Sequence, residues 1–148
     1  MSEENEITTG SFGYSLIRDE LLPELLGNHT NEILYWAGKS LARKHPCQNE
    51  GELIHFFERA DWGTLQLIKQ KGDEALLELS GPLLKQRIES NGAKHFTLEA
   101  GFLAEQYAMM KQCQTEAIQQ RQKQAVIQFT LKWDPKDPYG LPSRKKSK

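Results

Sequence analysis

The stretch Trp62–Ser80, WGTLQLIKQKGDEALLELS, marks the point where the sequence changes from helical to strand periodicity. Its two halves flank residues 71–73, where Gly72 can adopt the positive φ angle that a tight turn requires. Alternate residues of the second half are apolar and would face a core: Ala75, Leu77 and Leu79. We therefore predict a β-hairpin with strands over 62–70 and 74–80.

Three helical segments precede this hairpin, each with an apolar stripe at steps of three and four residues. In the first, over 12–26, Pro23 should kink or end the helix because its ring clashes with the preceding turn. Thr30 can cap the second helix, and Asn49 with Glu52 resembles a capping box that opens the third. The stripes are Tyr14, Ile17, Leu21 and Leu25; then Ile33, Leu34, Ala37 and Leu41; and finally Leu53, Ile54, Phe56, Phe57 and Ala60.

The segments after the hairpin alternate between helix and strand. Residues 83–88 form a turn or a short helix, and a longer helix begins at about Thr97. Small residues on that helix favour close packing of another backbone: Ala100, Gly101, Ala104 and Ala108. The periodicity of 113–123 suits either a polar helix or an edge strand. The last strand is the clearest, since four apolar residues alternate with polar ones: Ile127, Phe129, Leu131 and Trp133.

Length and composition limit the class of protein. A chain of 148 residues, 38% hydrophobic and 26% charged, is typical of one globular domain. Its formal net charge of -1 argues against a nucleic-acid or anionic-lipid partner. Cys47 and Cys113 are far apart and match no zinc or disulfide motif, so we predict no metal.

The two ends of the chain differ from the segment between them. Residues 1–11 are polar and predict a flexible leader without a signal peptide. Residues 135–148 contain prolines and a basic cluster, and predict a disordered basic tail. The single domain is therefore predicted over 12–134. No apolar run approaches the roughly 18 residues of a membrane span, so we predict a cytoplasmic protein.

Seven segments form a specific set of motifs when they are taken in order: Tyr14–Asp19, Leu21–Gly27, Ile33–Lys44, Phe56–Glu58, Ala60–Leu65, Leu98–Gln106 and Lys132–Pro138. Together they resemble the YslB-type family of unknown function from Gram-positive bacteria. The resemblance spans roughly residues 12–138. That family is grouped by likeness of fold with vinyl-reductase-type ligand-binding domains, haem-nitric-oxide-binding domains and TRAPP-type trafficking subunits.

The resemblance implies an α+β fold, TRAPP-like or vinyl-reductase-domain-like. In such a fold, N-terminal helices and one later helix pack on a small antiparallel sheet, which implies that Gln114–Gln120 is a strand. The chain lacks the paired cysteines with which some vinyl-reductase-type domains bind zinc. Of the four histidines only His55 lies well inside a predicted helix, beside an apolar face, and we interpret it as a boundary residue and not a haem ligand. We predict no cofactor.

No sequence pattern in the chain is typical of an enzyme. The P-loop, G-x-G-x-x-G, G-x-S-x-G and H-E-x-x-H motifs are all missing, so we predict that the protein is not an enzyme. Glu99 and Glu105 flank the small-residue helix, where Arg18, Asp19 and Arg43 could meet them. We interpret these carboxylates as solvated or paired.

An aromatic set could either fill the core or line a ligand pocket: Tyr35, Trp36, Phe56, Phe57, Trp62 and Phe102. Trp36 lies off the apolar stripe of its helix, which suggests an interface or the rim of a pocket. A rival interpretation packs Tyr35 and Trp36 under the helix 50–60, within the monomer core.

These features predict a non-enzymatic binding module. It would be a homodimer, joined through the early helices, with an apolar pocket or groove for a small hydrophobic ligand or a partner segment. The alternative is a protein-protein interaction or scaffold protein with a filled core, and an unrecognised enzyme is the third hypothesis.

Overall fold

The structure, a computed structural model, describes residues 12–93, 95–122 and 124–140. We number five helices and four strands in chain order: α1 (12–26), α2 (Thr30–Lys44), α3 (Glu50–Arg59), β1 (Thr64–Lys71), β2 (Glu74–Ser80), α4 (Pro82–Asn91), α5 (Thr97–Lys111), β3 (Cys113–Gln122) and β4 (Val126–Pro138). Within α1, Leu16–Leu21 is π-helical and Leu22–Leu26 is α-helical. The predicted leader 1–11 and residues 141–148 of the predicted tail lie outside the described residues.

The four strands form one antiparallel sheet in the order β1-β2-β4-β3. Alternate residues of each strand face the helices and are buried, as their period of two requires: Leu65, Ala75, Leu77, Leu79, Ala117, Ile127, Phe129, Leu131 and Trp133. Helix α5 lies against β3 and β4, α3 contacts β1, and α2 packs on α5. The predicted α+β class is confirmed, and so is the strand that the resemblance implied over Gln114–Gln120.

The hairpin and the start of α3 follow their local sequence signals. Gly72 adopts a φ angle of 60° between β1 and β2, although β1 begins at Thr64, two residues later than predicted. Asn49 Oδ1 accepts the Glu52 N–H at 2.9 Å and so caps α3. The Glu52 carboxylate accepts from the N–H of Gln48 at 2.7 Å. In a capping box it would accept from the N–H of the cap residue Asn49, so this second bond lies one residue earlier than predicted. The ambiguous segment 83–88 lies within α4.

The buried stripe of α2 differs from the prediction. Ile33 is exposed, and the buried residues of α2 are Thr30, Leu34, Gly38 and Ala42. Three of these four are small, because α2 approaches α5 too closely for large side chains to lie between the two backbones. Thr30 does not cap the helix; its hydroxyl donates to the Gly27 carbonyl at 2.7 Å.

The first helix also departs from the prediction. Pro23 does not end it, because the preceding π-helical turn is wider, as the Leu22 N–H bond to the Ile17 carbonyl shows. The predicted apolar stripe is not buried either. Only Tyr14 of that stripe is partly buried, and the other members are exposed: Ile17, Leu21 and Leu25.

The end of the sheet corrects the predicted domain boundary at residue 134. Strand β4 continues to Pro138, and the Tyr139 N–H donates to the Gln112 carbonyl at 3.2 Å. Prolines are compatible with this part of β4 because its pairing with β2 ends at Lys132 and its pairing with β3 is irregular between Trp133 and Pro138. The predicted disordered tail 135–148 therefore contains ordered residues up to Gly140.

Candidate functional site

Four of the six aromatic candidates form one packed cluster in the core. The rings of Phe56 and Phe102 stack with centroids 4.6 Å apart, and Trp62 lies 5.0 Å from Phe57 and 5.2 Å from Phe102. Rings at these separations are in direct contact, so no ligand fits between them. These four residues fill the space between α3, α5 and the start of the hairpin.

The other two aromatic candidates lie elsewhere, on α2. Tyr35 is partly buried; its hydroxyl donates to Glu116 Oε1 at 2.8 Å and accepts the Ala117 N–H at 3.2 Å. Burial raises the pKa of Tyr35, and the bond to Glu116 adds to the shift. Tyr35 thus joins α2 to the edge strand β3, not to α3. Trp36 is 68% exposed, so its rival placement in the monomer core is wrong.

An open groove of about 640 Å³ follows the loop between α2 and α3 and runs along α3. Of the six aromatic candidates only Phe56 lines it, together with His45, Cys47, His55 and Arg59 among others. Gln106 holds this loop, since its side chain accepts the Cys47 N–H at 2.9 Å and donates to the His45 carbonyl at 2.8 Å. Burial, with a smaller effect of Glu52, raises the pKa of the Cys47 thiol, which keeps it protonated and weakly nucleophilic.

Helices α2 and α5 cross at two glycines. An ideal Cβ on Gly101 would lie 2.0 Å from the Tyr35 carbonyl oxygen, and one on Gly38 would lie 2.1 Å from the Leu98 carbonyl oxygen. Both neighbours are backbone atoms, so only glycine permits this approach. The other small residues singled out on α5 are buried along the same helix: Ala100, Ala104 and Ala108.

Helix α1 turns its charged residues Arg18 and Asp19 toward the domain and most of its large apolar side chains toward solvent. Its inner side carries Ser15 and Arg18, which are buried, and Tyr14 and Asp19, which are partly buried; toward the end of the helix Leu22 and Leu26 are also partly buried. Its outer side carries five large apolar side chains beside the exposed Glu20 and Glu24, and Phe12 and Leu25 are 64% and 69% exposed. Seven of the nine exposed large apolar side chains in the described part of the chain lie on α1 and α2. We call these seven the apolar face: Phe12, Leu16, Ile17, Leu21, Leu25, Ile33 and Trp36.

Two buried ion pairs attach the inner side of α1 to the domain, and we call their four residues the ionic cluster. Arg18 donates to both Glu99 oxygens, at 2.7 and 2.9 Å, and to the Tyr14 hydroxyl at 2.9 Å. Arg87 binds both oxygens of Asp19, at 2.9 and 3.0 Å. Burial opposes the charge on Arg18, but the pairing with Glu99 outweighs it and raises the pKa of the guanidinium.

Arg87 is completely buried, with its guanidinium between two aromatic rings. The carbon of that group lies 5.5 Å from the Tyr14 ring centroid and 5.1 Å from that of Phe96. Its Nη1 atom has no hydrogen-bond partner among the described residues. The π-helical turn Leu16–Leu21 turns two consecutive residues, Arg18 and Asp19, inward toward α5 and α4.

Sequence reasoning identified only part of this arrangement. It named Arg18, Asp19 and Arg43 as residues that could meet Glu99 and Glu105, and Arg18 does pair with Glu99. Arg43 Nη1 lies 3.2 Å from Glu105 Oε2. Asp19 pairs instead with Arg87, which no sequence signal marked, because an arginine in a short polar helix looks like a solvated residue.

A second, smaller polar contact ties the end of the chain to α5. The hydroxyl of Tyr139 donates to the Oε2 atom of Glu105 that Arg43 also contacts. Burial and the Glu105 carboxylate raise the pKa of Tyr139 to about 12.

Tyr139→Phe is expected to lower the free energy of unfolding by about 1–2 kcal/mol, because it removes a hydrogen bond to a largely buried carboxylate. Urea unfolding of the wild-type and variant chains measures this difference. An unchanged midpoint would show that residue 139 contributes nothing to the domain, as expected if the tail began at residue 135.

In the described part of the chain, no helix combines the length and the apolar character needed to cross a membrane.

Comparison with known proteins places the chain among relatives. Residues 11–132 match a family described as "Protein of unknown function (DUF2507)". An uncharacterized protein, YslB, of Bacillus subtilis (strain 168) is 42% identical over 134 residues, which is 90% of each chain. The fold is similar to the crystal structure of a vinyl-4-reductase family protein from Methanocaldococcus jannaschii, with a TM-score of 0.57 over 68% of each chain and 20% identity. The predicted resemblance is thus confirmed, and the chain belongs to the DUF2507 family of proteins of unknown function.

Proposed function

We propose that the protein is a non-enzymatic interaction module that forms a homodimer through the apolar face of α1 and α2. The observation that carries this proposal is the inverted orientation of α1. The ion-paired Arg18 and Asp19 point into the domain, while five large apolar side chains face outward together with Glu20 and Glu24. Exposed apolar patches of this kind on soluble proteins mark interaction sites.

A second copy of the chain is the partner that this face fits best. The face combines two aromatic and five aliphatic side chains, the composition of the core of an interface. Glu20 and Glu24 are exposed on α1, and Lys44 is exposed on α2. A two-fold axis that sets α1 of one copy against α2 of the other would bring these opposite charges together.

An anionic membrane surface fits the same face less well. Glu20, Glu24 and Glu32 lie on the exposed sides of α1 and α2 and would be repelled by anionic lipid headgroups. Co-sedimentation with vesicles of phosphatidylserine and phosphatidylcholine distinguishes the two partners. Binding to such vesicles by a monomeric wild-type chain would favour the membrane.

Trp36→Ala is expected to weaken the dimer at least 30-fold, because truncating an aromatic anchor of an interface costs about 2 kcal/mol or more. Size exclusion with light scattering should show a dimeric wild type and a variant that dissociates at micromolar concentration. Ile118→Ala is the matched control, because Ile118 is as exposed as Trp36 but lies on β3. It should leave the dimer unchanged. A Trp36→Ala chain that remains dimeric would contradict the proposed interface.

The predicted small hydrophobic ligand remains a prediction. Tight packing of Phe56, Phe57, Trp62 and Phe102 favours the filled-core alternative. A ligand or partner segment would have to bind outside this cluster, for example in the groove beside α3. Native mass spectrometry of freshly purified protein would decide, since a retained small molecule supports the pocket. The non-enzymatic assignment is also part of the proposal, and the ion-paired carboxylates and protonated Cys47 support it.

A further inference from the structure

We propose that Arg87 and Glu99, the two members of the ionic cluster outside α1, determine which side of α1 faces the domain. They hold its polar side inward and thereby present its apolar side to a partner. This inference rests on the proposed function, because it explains how the dimer-forming face is kept exposed.

The hydrophobic effect alone would orient α1 the other way. Burial of apolar surface is the dominant favourable term in folding, and α1 leaves Phe12, Leu16, Ile17, Leu21 and Leu25 in solvent. The inner side holds fewer large apolar side chains, Tyr14, Leu22 and Leu26, and these are only partly buried. A helix with this distribution would normally bury the five exposed residues and expose its arginine and aspartate. Some other interaction must therefore oppose a turn of α1 about its axis.

The ionic cluster supplies that opposition through its geometry. Each arginine contacts both oxygens of its carboxylate, an arrangement that tolerates little rotation. If α1 turned, Glu99 and Arg87 would lose Arg18 and Asp19 and would remain buried without partners. A buried ion pair adds little net stability compared with apolar residues, but breaking one is very unfavourable. Such pairs therefore select one arrangement of the helix over another.

The surroundings of the cluster support a role in orientation more than in stability. Arg87 is fixed between Tyr14 and Phe96, and its Nη1 atom lacks a partner among the described residues, which lowers the stability that this arginine can contribute. Gly27, with a φ angle of 60° and no atom near its missing side chain, follows α1 and can absorb a change in its orientation.

The test replaces the ions under α1 and leaves the sequence of α1 unchanged. In the variant Arg87→Met/Glu99→Leu the underlying surface is apolar, so we expect α1 to turn its apolar side inward. The variant should unfold cooperatively but should be monomeric. A Ser15→Cys reporter, at a buried position on the inner side, should react with a maleimide at least tenfold faster than in the wild-type background. The buried Cys47 and Cys113 set the baseline rate.

A second variant makes both sides of the contact apolar: Arg18→Leu/Asp19→Leu/Arg87→Met/Glu99→Leu. It should restore the dimer and the protection of the Ser15→Cys reporter, because the inner side of α1 then matches the surface beneath it. Three results would overturn the inference: a double variant whose reporter stays protected, a double variant that loses cooperative unfolding, or a quadruple variant whose reporter stays reactive. A monomeric wild type with the expected reporter rates would refute the dimer alone.

Discussion

Arg18→Met is expected to lower the free energy of unfolding by about 3–5 kcal/mol, because it leaves the fully buried Glu99 carboxylate without its partner. For a chain of this size that loss corresponds to a fall of roughly 6–20 °C in melting temperature. Calorimetry or circular dichroism on the wild-type and variant chains measures it.

Two further variants distinguish the loss of stability caused by breaking the ion pair from the loss caused by removing any arginine. Arg59→Met removes an exposed arginine that has no ion pair among the described residues, and should change stability by no more than about 0.5 kcal/mol. Arg18→Met/Glu99→Leu removes both charges and should recover most of the loss. A single Arg18→Met variant as stable as the wild type would show that Glu99 is not buried by α1.

Gly101→Ala is expected to cost about 3 kcal/mol, because its Cβ would overlap the Tyr35 carbonyl oxygen and force α2 away from α5. The melting temperature should fall by roughly 6–12 °C. Gly38→Ala should behave similarly, since its Cβ would meet the backbone of Leu98.

Gly13→Ala is the matched control for these glycine variants. No atom lies within 4 Å of the added Cβ, and alanine favours a helix by roughly 0.5–1 kcal/mol, so the variant should be as stable as the wild type or more so. Equal melting temperatures of Gly101→Ala and Gly13→Ala would contradict the close approach of the α2 and α5 backbones.

The sheet and the core helices could be predicted from sequence because their signals are local. Strict alternation in β4, the glycine of the hairpin turn and the Asn49 cap each depend on residues within one element. The strand character of 113–122 could not be derived from periodicity, and the family resemblance was needed to predict it. Gly38 was missed because a single glycine in a helix indicates, from sequence alone, only a weaker helix. Its role in close packing becomes clear once the structure places α5 against it.

The candidate site was harder to predict because it depends on pairings over long separations. Periodicity grouped Tyr14 with Ile17, Leu21 and Leu25, whereas the structure places Tyr14 on the inner side of α1 and exposes the other three, and periodicity could not indicate which side the core would cover. In our proposal the answer depends on Glu99, 81 residues away from Arg18, and on Arg87, 68 residues away from Asp19. No pattern within α1 contains those residues. The sequence of α1 alone therefore leads one to expect that its apolar side faces the core, whereas most of its large apolar side chains are exposed.

We propose that the apolar face of α1 and α2 joins two copies of the chain. Sedimentation equilibrium of the wild-type chain over a range of micromolar concentrations tests this association most directly. We predict a mass twice that of the 17.0 kDa chain, which falls toward that of a single chain on dilution. A mass of 17.0 kDa at every concentration would contradict the claim.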